Sequence, residues 1–81
     1  MEMVNGRELQ IRLYCNQGHT DYAYQLLHHG KPVERWDNKE HFSHLSSHPH
    51  HYHTADGQVM DSPLNGDPEH DLPLVLTLLP H

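Results

Sequence analysis

The sequence predicts an α+β domain: a small antiparallel sheet of three to four strands, running as a meander, with a C-terminal helix packed on one face. Two patterns carry this prediction. Leu9, Ile11, Leu13 and Cys15 alternate with Glu8, Gln10, Arg12 and Tyr14, the period of two expected of a half-buried strand. Near the C-terminus, Leu72, Val75, Leu76 and Leu79 recur at three- and four-residue spacing, the period of a helix with one apolar stripe.

The alternating segment is the first strand, and its pattern places Leu9, Ile11, Leu13 and Cys15 on one buried face. Cys15 then reads as a buried thiol rather than a nucleophile. Asn16-Gln17-Gly18-His19 has turn chemistry, and Tyr22 to His28 is aromatic enough for a second strand, so the two form an antiparallel hairpin. Tyr22 and Tyr24 share a face and read as packing residues, with Tyr24 also a candidate for a site hydroxyl.

His29-Gly30-Lys31 supplies the next turn, and Pro32 is restricted to the opening of a third short strand, Val33 to Trp36. From Asp37 to Gly57 neither period is present, and long irregular stretches in compact domains are usually functional or disordered. Gln58 to Asp61 suits a fourth, edge strand. After a loop at Ser62 to Pro68, Asp71 is placed to cap a helix over Leu72 to Leu79, whose first turn tolerates Pro73. The acidic group Asp67, Glu69 and Asp71 is assigned to the helix N-terminus. Leu74 and Leu78 widen the apolar stripe, and Thr77 is its main polar break.

A chain of 81 residues accommodates one core, so residues 1–81 are read as a single domain. Only 35% of the residues are hydrophobic, so the core is thin and a homo-oligomer or a bound partner is expected to complete it. The net charge of −6 has the wrong sign for general attraction to nucleic acid, so any phosphate site must be local. There are 11 histidines, enough to reverse the sign of the chain if all were charged, so surface electrostatics should respond to mild acid. The lone Cys15 rules out an intramolecular disulfide and a four-thiolate zinc site, in keeping with a reducing cytoplasm. Met1 to Gln10 lacks a basic region followed by an apolar run, and Leu72 to Leu79 is far short of the ~20 residues of a membrane span. A soluble cytoplasmic protein without membrane association is expected.

Arg35-Trp36-Asp37-Asn38, followed by His41 and by Pro49-His50-His51-Tyr52-His53, resembles the TumE toxin family of bacterial toxin-antitoxin systems. The resembling region runs from about Tyr22, whose Tyr22-Ala23-Tyr24 matches an aromatic strand of that family, to His53. Departures occur at Phe42, His48 and Tyr52, where the family pattern often has a histidine, an aromatic and a lysine. The resemblance implies a toxin paired with a cognate antitoxin that is itself a DNA-binding protein.

Six histidines fall between His41 and His53, and no packing requirement explains so many imidazoles together. Three accounts stay open. In the first, a metal-independent ribonuclease, a neutral imidazole removes the 2′-hydroxyl proton of RNA and a protonated one protonates the leaving oxygen. His50, His51, His53 and His41 are then the candidate catalytic residues, with His51 and His53 as the simplest pair because they share a face of an extended segment. Asp37 orients an imidazole through its ring N–H, Arg35 or Lys39 stabilises the phosphorane charge, and Trp36 and Asn38 complete the substrate-binding set. Trp36 can stack on a base, although a lone tryptophan at a strand end is more often core.

In the second account His50, His51 and His53, with Asp37 or His41, ligate a metal, which requires a sharp bend in the chain. The third is a non-catalytic loop whose histidines cap strands or contact the antitoxin. The working assignment takes no metal and no cofactor. His19, His28, His29, His70 and His81 are assigned to the surface.

Overall fold

The computed structural model describes residues 2–3, 5–39 and 42–79. Five strands are followed by one helix: β1 (Arg7–Asn16), β2 (His19–His28), β3 (Lys31–Asp37), β4 (His51–His53), β5 (Val59–Asp61) and α1 (Pro68–Leu78). The strands pair antiparallel in chain order, so the sheet is a meander. Among the described residues no helix is long and apolar enough to cross a membrane.

The two long hairpins follow from their turns. Gln17 and Gly18 have φ of 49° and 80°, and His29 and Gly30 have φ of 50° and 79°. Two successive positive φ values make the two-residue turn whose twist matches that of paired strands. β3 begins at Lys31, earlier than its apolar residues suggest, and includes Pro32. The register between β2 and β3 shifts at Leu26/Leu27, so Val33 is the extra residue of a bulge beside a proline that cannot donate to the ladder.

Three expectations are corrected. The irregular segment contains a strand, β4, which makes five strands instead of three or four; three residues are too few to display a period. The helix starts at Pro68, with Asp67 as its cap accepting from the Glu69 N–H at 3.0 Å. A capping residue followed by proline at the first helical position is a normal start, and Asp71 is instead buried in the first turn. Its carboxylate accepts from the Asn65 and Gly66 N–H groups at 3.0 and 2.8 Å and so ties down the preceding loop.

The third correction concerns β1. Leu9 is fully buried, but Ile11 and Leu13 are 37% and 45% exposed, and Cys15 is exposed. A ten-residue strand is about 33 Å long and an 11-residue helix about 16 Å, so the helix covers only part of this edge strand. The core joins Leu9, Tyr22, Tyr24, Leu26 and Trp36 of the sheet to Leu64, Val75 and Leu79. Leu72, Leu74 and Leu76 pack against it partly buried, whereas Leu78 is exposed.

Candidate functional site

Strand pairing assembles the site. Residues directly opposite one another on neighbouring strands share a face of the sheet. One such row crosses all five strands as Arg12, Ala23, Asp37, His51 and Asp61, and the next as Gln10, Gln25, Arg35, His53 and Val59. The intervening row, Tyr24, Trp36 and Tyr52, points to the other face, where α1 completes the core. Asp37, Arg35, His51 and His53 therefore meet on the face away from the helix.

Asp37 is the centre of this group. Its side chain is 4% exposed and receives the Arg35 guanidinium Nε–H at 2.6 Å on Oδ2 and the Lys39 backbone N–H at 3.1 Å on Oδ1. His51 Nε2 lies 2.7 Å from Oδ1, and His53 Nε2 lies 3.8 Å from Oδ2. The other nitrogen of His51, Nδ1, donates to the Pro49 carbonyl at 3.2 Å, because a carbonyl oxygen can only accept. Both nitrogens of a nearly inaccessible ring thus face acceptors.

His53 and Arg35, at 36% and 35% exposure, are the parts of the cluster that reach the surface. The two imidazoles meet edge to face at 4.8 Å, and the ring of Phe42 lies 4.7 Å from His51 and 5.9 Å from His53. Burial holds the His53 imidazole below the ordinary histidine value, with His51 and Arg35 acting in the same direction against the pull of Asp37. The net effect favours the neutral form of His53.

Arg35 separates two grooves. One, of about 340 Å³, is lined by Arg35, Asp37 and His53 together with Gln25 and Val33. The other, of about 500 Å³, is lined by Arg12, Tyr14, Ala23, Arg35 and Lys39, with one acid, Asp21, among them. Three of the five Lys and Arg residues of an acidic chain thus border one groove, beside a Tyr14 ring that is 66% exposed.

The remaining sequence candidates lie elsewhere. His50 turns away from His51 and His53: its Nδ1 is 2.7 Å from the Tyr22 hydroxyl, and the rings stack at 5.8 Å. Burial lowers the His50 value and raises that of Tyr22 above the usual phenol range, so Tyr22 keeps its proton and the pair fixes the ring against β2. Trp36 is 2% exposed and stacked on Tyr52 at 4.8 Å as part of the core. Asn38 is buried and serves the backbone, accepting from Tyr22 N–H at 3.1 Å and donating to the Thr20 carbonyl at 2.7 Å. Lys39 is exposed at the groove, Tyr24 is buried, and His41 lies outside the described residues.

Sequence reasoning missed Arg12, Tyr14 and Phe42. Arg12 and Tyr14 read as the solvent side of the first strand, and only the pairing register, which sets Arg12 opposite Ala23 and Ala23 opposite Asp37, ties that side to the cluster. Phe42 carries no period and stands in an irregular segment, and the sequence marks it only as a departure from the family pattern.

A family model described as Toxin TumE matches residues 1–79, a longer span than the Tyr22 to His53 motifs. No curated protein and no solved structure matches the chain.

Proposed function

The chain belongs to the TumE toxin family, and from that premise we propose that it is the toxin of a toxin-antitoxin pair and acts by cleaving RNA at the Asp37–His51–His53 centre. One observation carries the reading: the titratable cluster and the densest group of permanent cations share the same face of the sheet, with Arg35 common to both. Phosphates of RNA would follow Arg12 and Lys39, bases would stack on Tyr14, and a phosphodiester would reach Arg35 beside His53.

In the reaction, the centre takes the proton of a 2′-hydroxyl, whose oxygen attacks the adjacent phosphorus. The bond to the 5′-oxygen breaks, that oxygen takes up a proton, and the products end in a 2′,3′-cyclic phosphate and a 5′-hydroxyl. Arg35 offsets the charge that develops on the phosphorane. Burial gives His51 a positioning role on Asp37, which leaves His53 as the imidazole nearest substrate. The partner in this reading is a cognate antitoxin that binds DNA.

The purified chain should cleave single-stranded RNA and leave cyclic phosphate ends. His53→Ala should lower the rate about 10²–10⁴-fold and Arg35→Ala about 10²–10³-fold, with folding retained by circular dichroism. Cleavage at the wild-type rate by His53→Ala would remove the reading. Antitoxin binding by a wild-type chain that never cleaves RNA would support a non-catalytic binding module instead.

A further inference from the structure

Asp37, His51 and His53 bring three potential ligand atoms together on the outer face of the sheet. Asp37 accepts hydrogen bonds on both oxygens, from Arg35 and from Lys39. When the Nδ1–H of His51 donates to the Pro49 carbonyl, Nε2 faces Asp37 with a lone pair able to bind an ion. Nε2 lies 2.7 Å from Oδ1, a separation that either a shared proton or an ion bound to both atoms accounts for.

We propose that Asp37, His51 and His53 hold a divalent transition-metal ion. One donor atom from each of the three lies within 4.8 Å of the others. Two donors each ~2.1 Å from a common ion at right angles lie about 3 Å apart, so the Asp37–His51 separation of 2.7 Å is close to that spacing. His53 Nε2 lies 3.8 Å from the other carboxylate oxygen, Oδ2, which also accepts from Arg35, so the half-exposed His53 ring must turn toward the ion to complete the set. A carboxylate and two imidazoles on one side of an ion leave its other positions open to water and to a phosphate oxygen.

The surroundings are those of a held ligand set. His51 donates its second ring nitrogen to a carbonyl, and Asp37 is gripped by a guanidinium and a backbone N–H, contacts that fix the orientation of metal ligands. His51 and Asp37 are nearly inaccessible, so neither is a stray surface donor. The metal rests on the RNA reading only for its role, which is to polarise water and phosphate oxygens at the groove; its presence is read without RNA.

The competing occupant is a proton, and a chain with so many histidines also collects ions at its surface. Untagged full-length chain, stripped with chelator, is titrated with Zn²⁺ and Co²⁺ by calorimetry and visible spectroscopy. One site at least tenfold tighter than the rest is expected, with a Co²⁺ d–d spectrum. His53→Ala should weaken that site at least tenfold. The double variant His28→Ala/His29→Ala, which removes an exposed pair with rings 4.4 Å apart, should leave it unchanged.

Binding by His53→Ala equal to wild type, or lost equally in the His28/His29 variant, means an adventitious ion only and overturns the proposal. RNA cleavage that persists in chelator overturns the metal and leaves the RNA reading intact. A tight site sensitive to His53→Ala in a chain that cleaves no RNA keeps the metal and removes that reading.

Discussion

Asp37 and Asn38 are adjacent and both buried, yet they face different partners. Asp37 gathers Arg35 and two imidazoles on the outer face, whereas Asn38 bonds the β2 backbone at Tyr22 and Thr20, next to the last paired residues, Ala23 and Asp37. Asn38 therefore locks the ends of β2 and β3 together and holds Asp37 in place from behind. Removing it strands one buried donor and one buried acceptor, so Asn38→Ala should cost about 1–3 kcal/mol. Thermal unfolding checks this, and an unchanged Tm would contradict the structural role. The sequence marks Arg35-Trp36-Asp37-Asn38 as one motif because four chemically distinctive residues stand together. It does not show that strand alternation divides them, with Arg35 and Asp37 facing outward and Trp36 in the core.

At the scale of elements, the hairpins were legible because their turns are short and local: a glycine at each second turn position and a strand pattern on both sides determine the register. β4 was not legible, since His51-Tyr52-His53 is defined by pairing with β3 and β5 and not by a pattern of its own. The site inherits this limit, because the opposition of His51 to Asp37 and of His53 to Arg35 exists only once β4 is in place. The apolar period of β1 was read correctly as a strand and wrongly as uniformly buried. Leu9→Ala should cost about 2–5 kcal/mol, as truncation of a fully buried leucine does, whereas Ile11→Ala should cost under about 1 kcal/mol. Denaturant unfolding of the two variants decides it; equal losses would mean that the whole strand face is covered in solution.

At the scale of the molecule, an acidic chain keeps three of its five Lys and Arg residues beside the sheet face that lacks a helix. The helix face supplies stability through Trp36, Tyr24, Val75 and Leu79, so the opposite face is free to carry polar groups that would destabilise a core. That division predicts that the site can be changed at half-exposed positions without loss of the fold, which makes His53 the most informative residue to alter. The most direct test is growth of cells expressing the chain without its antitoxin. Wild type is expected to arrest growth, and His53→Ala, folded and at equal abundance, is expected to permit it. Growth arrest by His53→Ala equal to that of wild type would contradict the claim that the toxin acts through the outer face of its sheet.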